Sequence, residues 1–212
     1  MVSEEQVLVL ERKVLEQVGM FNGLKFDVDR YLARIFAPGI LRFMPRTRAE
    51  ENPTYKQLIP YVIMSYNGSY LSYVRGRRAG ESRLVGLRSI GIGGHINPID
   101  NEVPLFDADF RQMYCTAVAR EVAEEVIVEA NYTDRIVAFL NDESNEVGSV
   151  HLGIVHHWTL DSAKVSKREQ MITRMAFMTI DELQDVRDSM ETWSQLCLDG
   201  LEKMEKASKQ SP

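Results

Sequence analysis

The chain has 212 residues, with 25 Lys and Arg against 31 Asp and Glu for a formal charge of −6, and 44% of it is hydrophobic. That balance builds a globular core and excludes disorder as the main state, while the acidic surplus argues against a general nucleic-acid binder. No stretch reaches the roughly 18 to 20 uncharged apolar residues of a membrane span. Met1-Val2-Ser3-Glu4-Glu5 lacks both the basic start and the apolar run of a signal peptide, so the sequence predicts a cytoplasmic protein with no membrane partner. Cys115 and Cys197 lie far apart without CxxC spacing, which suits buried thiols in a reducing compartment.

Residues 1–55 read as an N-terminal extension. Within it, 4–18 suits a helix or a short strand plus helix, 28–36 a short helix, and 38–53 a loop, because Pro38, Pro45 and Pro53 stand among charges. Two apolar runs, 58–64 and 70–74, flank Asn67-Gly68, the dipeptide of a type I′ turn, and predict a β-hairpin. Pro60 removes a ladder donor and points to an edge or a bulge. An extended segment then runs through Ile90 and Ile92 into Gly93-Gly94. A proline-bearing loop leads to a helix over 108–126, capped by Asp107 or Asp109, with Tyr114, Val118, Val122 and Val126 stacked every four residues. Strands follow at 136–140, 149–160 and 175–180, and a polar loop at 141–148 separates the first two. Thr179 and Glu182 make a capping-box pattern. The three-and-four spacing of Leu183, Val186, Met190, Trp193, Cys197, Leu201 and Met204 predicts one long closing helix.

The chemistry concentrates in Arg120-Glu121-Val122-Ala123-Glu124-Glu125. At ~100° per residue, Glu121, Glu124 and Glu125 share an arc of about 100°, so three carboxylates converge on one side of the helix. Their repulsion is relieved by a hard divalent cation such as Mg²⁺, which takes a few carboxylate oxygens and bridges to phosphates. The competing reading is a solvated acidic face with an Arg120–Glu124 pair.

A strand, Gly93-Gly94, a loop and a helix bearing this hexapeptide resemble the Nudix (MutT-like) hydrolase family, whose box reads G-x5-E-x7-R-E-U-x-E-E-x-G-U with U apolar. The resemblance covers about 57–201. It implies an α/β protein, an α/β/α sandwich with a mixed β-sheet over 56–204, preceded by the extension 1–55, closed by the long C-terminal helix and followed by a polar tail at 205–212. It further implies a pyrophosphohydrolase of nucleoside diphosphate-linked substrates. By motif position, Glu121, Glu124 and Glu125 would hold Mg²⁺ or Mn²⁺ and Arg120 would orient them. Three positions depart from the box. Gln112 replaces its first Glu, Ile127 its closing Gly, and an insertion across 96–110 separates Gly93-Gly94 from the helix. These departures motivate the alternative of a Nudix-fold binding or regulatory module without hydrolysis.

Gly93 and Gly94 would let backbone approach a pyrophosphate. Arg75, Arg77, Arg78, Arg83 and Arg88 concentrate positive charge, with Arg75 and Arg83 as candidate phosphate contacts and a solvated hairpin rim as the competing reading. The family resemblance also implies a general base from the 141–148 loop, where position does not choose among Asp142, Glu143 and Glu146. His151, His156 and His157 suit structural roles or substrate contacts. The apolar content of the extension (Val7 to Leu10, Val14, Leu15, Phe21, Phe26) suits a homodimer or substrate-recognition surface, or burial within its own subunit.

Overall fold

A computed structural model describes residues 4–76, 85–100, 109–168 and 172–209. In chain order the elements are β1 (Gln6–Glu11), α1 (Arg12–Gly19), β2 (Gly23–Lys25), α2 (Val28–Ile35), β3 (Arg42–Pro45), α3 (Arg46–Glu50), β4 (Tyr55–Tyr66) and β5 (Ser69–Arg75). They continue as β6 (Arg88–Ser89), β7 (Gly91–Gly93), a 3-10 turn at Pro98–Asp100, α4 (Phe110–Glu125), β8 (Val126–Val128), β9 (Tyr132–Asn141), α5 (Glu146–Ser149) and β10 (His151–Leu160). The chain closes with β11 (Val165–Lys167), β12 (Ile172–Thr179), α6 (Ile180–Asp185), a second 3-10 turn, α7 (Thr192–Leu198) and α8 (Leu201–Lys209). The main sheet has ten strands along the path β12-β5-β4-β10-β9-β2, with β1 and β7 on β4, β3 on β1 and β6 on β5. The fold is α/β with a mixed sheet, as expected.

The chain divides into two compact units. One comprises Met1–Pro60, Gly93–Arg120 and Ala138–Ile154. In it β1 pairs antiparallel with β3 and β4, and β2 pairs with β9 through Gly23↔Asn141. Val7, Leu8, Val9, Leu10, Val14 and Leu15 are all buried here, within the extension's own chain, while Phe21 and Phe26 are partly buried. Phe21, Tyr31 and Phe139 form a ring ladder at 5.4 Å centroid spacings, and Phe36 meets Tyr114 of α4 edge-on.

The other unit comprises Tyr61–Ile92, Glu121–Val137 and Val155–Pro212. The hairpin forms as expected, with Ser65↔Tyr70 and Tyr66↔Ser69 closing on Asn67 and Gly68, both at positive φ (48° and 74°) as a type I′ turn requires. β5 also pairs with β12 and β6, and β8 pairs with β11. The capping box at Thr179 and Glu182 is present.

Three expectations are corrected. The 38–53 segment is not all loop, because β3 forms an edge strand on β1, where Pro45 forfeits no needed ladder donor, and α3 follows. Of the two readings of Pro60, an edge or a bulge, the edge is overturned, because β4 lies between β5 and β10. The single long C-terminal helix is replaced by α6, α7 and α8. Met190 is extended (φ −92°, ψ 153°), the Glu191 amide donates to Arg88 O at 3.0 Å, and Gly200 separates α7 from α8. Tertiary hydrogen bonding overrides the helical period there, although Leu183, Met190, Cys197, Leu201 and Met204 are buried as that period required.

Candidate active site

In the first unit, α4 begins on Asp109, whose Oδ1 accepts the amides of Arg111 (2.9 Å) and Gln112 (3.3 Å). Asp107 lies outside the described residues. Near the other end of the helix, Arg120 is anchored by a residue the sequence did not single out. Its Nε donates to Asp100 Oδ1 at 2.6 Å and its Nη2 to Asp100 Oδ2 at 3.0 Å. Nη2 also reaches His95 O at 2.9 Å. Asp100 is 1% exposed, and its Oδ2 also accepts the Asn97 amide at 2.8 Å. A carboxylate from the inserted loop thus meets the box arginine, while Gln112 is exposed on the helix. His95 follows the glycine pair. Burial, reinforced by Arg46 and His151, with Glu5 opposing, pushes its imidazole down to about 3.

The 141–148 loop belongs to this unit and separates the three general-base candidates. Asp142 is 2% exposed and accepts the Ser144 amide at 2.9 Å and Asn145 Nδ2 at 2.8 Å. Glu143 is clamped by Arg12 (2.8 Å), Asn141 (3.1 Å) and the fully buried Lys56 (2.7 Å). Burial raises its carboxyl, but the Arg12 and Lys56 hydrogen bonds outweigh this and leave it lowered. Glu146 is exposed in the first turn of α5, and its carboxylate has no ion pair among the described residues. His151 Nδ1 is held by Val147 O at 2.6 Å, a structural role.

In the second unit, Glu121 and Glu125 are partly buried and Glu124 is exposed, while Val122 and Val126 are buried beside them. One carboxylate oxygen of Glu125, Oε2, is buried. The chain leaves α4 straight into β8, where Ile127 pairs with Ser166 in an extended ladder. The helix exit therefore needs no left-handed residue, which explains a β-branched side chain where the box has glycine. Arg75, a candidate phosphate contact, has a partner inside this unit. Its Nε donates to Glu191 Oε2 at 3.0 Å, and the side chains are 18% and 6% exposed. Arg88 donates to Ser72 Oγ at 2.9 Å, and Arg77, Arg78 and Arg83 lie outside the described residues. Gly91 packs against the Tyr61 ring so closely that any Cβ would overlap it. His156 pairs with Asp134 (2.7 Å) and His157 with Ser65 (2.8 Å) and Ser208 (2.6 Å), consistent with structural roles.

No family model matches the chain. Protein YmaB of Bacillus subtilis (strain 168) is 34% identical over 208 residues, spanning 94% of this chain and 98% of that protein. The crystal structure of Tm1382, described as a candidate Nudix hydrolase, is 27% identical with a TM-score of 0.76, and the match covers 94% of this chain and all of that one. The chain belongs to the Nudix hydrolase family. DR0079 from Deinococcus radiodurans shares the fold at a TM-score of 0.53 and 12% identity, over 76% of this chain and 91% of that one.

A divalent cation, the metal expected in a Nudix protein, suits the donors on α4. Glu121, Glu124 and Glu125 offer hard oxygens, and Mg²⁺ uses only a few protein carboxylates beside water and phosphate oxygens. Among the described residues, however, no three His, Cys, Asp or Glu side chains are grouped so that they could hold a metal ion, so the carboxylates of Glu121, Glu124 and Glu125 are not gathered into one metal site. Neither Asp100 nor Glu191 carried a sequence signal, since one stands alone in an irregular insertion and the other inside an apparently helical period. A demand for a carboxylate to satisfy Arg120, once Gln112 was known to lack one, is the clue that leads to Asp100.

Proposed function

We propose that this chain hydrolyses a pyrophosphate bond in a nucleoside diphosphate-linked small molecule with the help of Mg²⁺ or Mn²⁺. Pyrophosphate-bond hydrolysis comes with the family. The metal, the substrate class and the residue roles are the proposal. The observation that carries it is the Arg120–Asp100 fork, which supplies the carboxylate missing at Gln112 and fixes the helix turn from which the three glutamates project. Glu121, Glu124 and Glu125 draw together to hold the cation, and Arg120 orients that turn. When bound, the cation supplies neutralisation of phosphate charge and activation of water.

Gly93 and Gly94 leave backbone open to a pyrophosphate, and Arg83 remains a phosphate contact in this proposal. Glu146 takes the proton from water, since Asp142 and Glu143 are already committed to Asn145 and to Arg12 and Lys56. The domain boundaries at 55 and 204 belong to the same proposal, as does a small-molecule rather than nucleic-acid partner in the cytoplasm. No helix among the described residues is long and apolar enough to cross a membrane. The test is a hydrolysis screen of nucleoside diphosphate sugars, dinucleoside polyphosphates and damaged nucleotides with Mg²⁺ or Mn²⁺. Metal-dependent turnover of one class is expected, and no turnover of any class with either metal would overturn the proposal.

A further inference from the structure

We infer that Glu143 is a positioning residue, through which the N-terminal extension and Lys56 hold the 141–148 loop in the shape that presents the Glu146 carboxylate. The inference rests on the assignment of Glu146 as the base that takes the proton from water, and it gives the extension a part in the reaction. Three residues of the extension reach the start of the loop. Arg12 Nη2 donates to Glu143 Oε2 at 2.8 Å, Asn22 Oδ1 accepts the Glu143 amide at 2.9 Å, and Phe21 O accepts Asn141 Nδ2 at 2.6 Å. Beside them β2 pairs with the end of β9 through Gly23↔Asn141. Lys56 of β4 closes the arrangement, its Nζ donating to Glu143 Oε1 at 2.7 Å and to Gly148 O at 3.0 Å. One ammonium thus joins Glu143 to Gly148, and Glu146 lies in the short span between them.

Lys56 is fully buried, so its charge depends on a counter-charge that a surface lysine would not need. Burial pulls its ammonium downward, and the hydrogen bond and charge of Glu143 oppose that pull. Little slack remains inside the span. Asp142 Oδ1 accepts the Ser144 amide at 2.9 Å, Asn145 Oδ1 accepts the Gly148 amide at 2.8 Å, and His151 Nδ1 donates to Val147 O at 2.6 Å. A Cβ at Gly148 would overlap Asp142 O, so the turn closes on itself. Glu146 is exposed on this turn, and the backbone beneath it, rather than an ion pair among the described residues, sets where its carboxylate stands. A general base must meet its proton within hydrogen-bond reach, and a displacement of about 1 Å can cost on the order of 10²-fold in rate. Making Glu143 neutral removes the charge that Arg12 and Lys56 both grip, which loosens the turn at its root and leaves Glu146 itself unchanged. Glu143 therefore acts on proton transfer through Glu146, without touching the substrate.

The test uses the full chain and two readouts, hydrogen exchange of loop amides and hydrolysis of UDP-glucose, a nucleoside diphosphate sugar, with Mg²⁺. Glu143→Gln keeps shape and removes charge. It is expected to speed exchange of the Ser144 and Gly148 amides about tenfold, and to lower kcat by roughly ten- to a hundredfold with KM within about twofold of the parent. Arg12→Gln should do the same more weakly, and Arg12→Lys should recover most of that loss. Added to Glu146→Gln, Glu143→Gln should lower the residual rate no further, whereas a merely structural role would lower it in both backgrounds. Unchanged exchange or unchanged kcat in a folded Glu143→Gln protein, or a further loss in the Glu146→Gln background, overturns the inference. If Glu143→Gln does not fold, Arg12→Gln decides, and exchange equal to that of the parent overturns it. Where UDP-glucose is not turned over, exchange alone decides by the same criteria. Glu146→Gln separates the two levels: undiminished turnover there removes the base assignment and the inference with it. Turnover lost there but full in Glu143→Gln removes the inference alone.

Discussion

Arg120 and Arg75 are both largely buried, and each is tied to a nearly inaccessible carboxylate, yet the two pairs differ in what else depends on them. Asp100 gives both oxygens to Arg120 and one to a backbone amide, so this pair fastens an inserted loop to a helix. Glu191 divides itself between Arg75 and three hydroxyls. The first pair is an anchor whose loss should appear in stability. The second is one arm of a buried hydroxyl network that joins β4, β6 and α7. Residue type and burial do not distinguish them, but the remaining partners do.

The largest effect tests the metal assignment on α4. Glu125→Gln preserves shape and helix propensity while removing one charge from a crowded cluster, so the apo protein should be no less stable. Turnover should fall by on the order of 10³-fold, because a lost ligand removes several kcal/mol of transition-state stabilisation at ~1.4 kcal/mol per decade. Steady-state rates beside melting with and without Mg²⁺ check both halves. Retained turnover would return α4 to a solvated acidic face.

The next effect should separate the pairs. Asp100→Asn removes the carboxylate charge that Arg120 meets at 2.6 and 3.0 Å, and breaking such a buried pair costs about 3 kcal/mol. Denaturant unfolding should show that loss even without metal. A change within ~0.5 kcal/mol would mean that His95 O and its neighbours satisfy Arg120 without a carboxylate.

Much of the fold was legible because local chemistry and tertiary context agreed. Asn67-Gly68 forces a hairpin through positive φ, Thr179 and Glu182 cap a helix reciprocally, and Tyr114, Val118, Val122 and Val126 are buried at helical spacing. The C-terminal region misled because a regular apolar period says which side chains are buried, while Met190 and Glu191 spend their backbone on β6. The glutamate triad and Arg120 were legible as a motif. Asp100 and Glu191 were not, since pairing across 20 and 116 residues is a property of topology that spacing does not encode.

Acid tests the surroundings of Arg120 through His95. The His95 carbonyl accepts from Arg120, and its ring is held near 3, below its usual 6.5. Between those values the unfolded chain binds the extra proton, so stability rises with pH. The contribution is fully present above about pH 6.5 and is lost as pH falls toward about 3, at no more than ~1.4 kcal/mol per unit. About 1–2 kcal/mol should disappear by about pH 5, and His95→Asn should flatten melting temperature against pH over that interval. An unchanged slope in the variant would assign the acid sensitivity elsewhere.

The smallest effect comes from restoring the box. If Asp100 already serves Arg120, Gln112→Glu adds an exposed charge near the start of α4 and nothing else, so stability should move by no more than about 0.5 kcal/mol and turnover should not rise. Ile127→Gly should destabilise, since Ile127 sits extended in β8 opposite Ser166 and glycine in a strand costs about 0.5–1 kcal/mol. Under the opposite view, in which both positions are defects of a decaying motif, each change would raise stability or rate. Equilibrium unfolding and rates of the two variants and their combination separate these outcomes. A gain from Gln112→Glu would show that Asp100 is an incomplete substitute, and a gain from Ile127→Gly would show that the α4–β8 junction is strained.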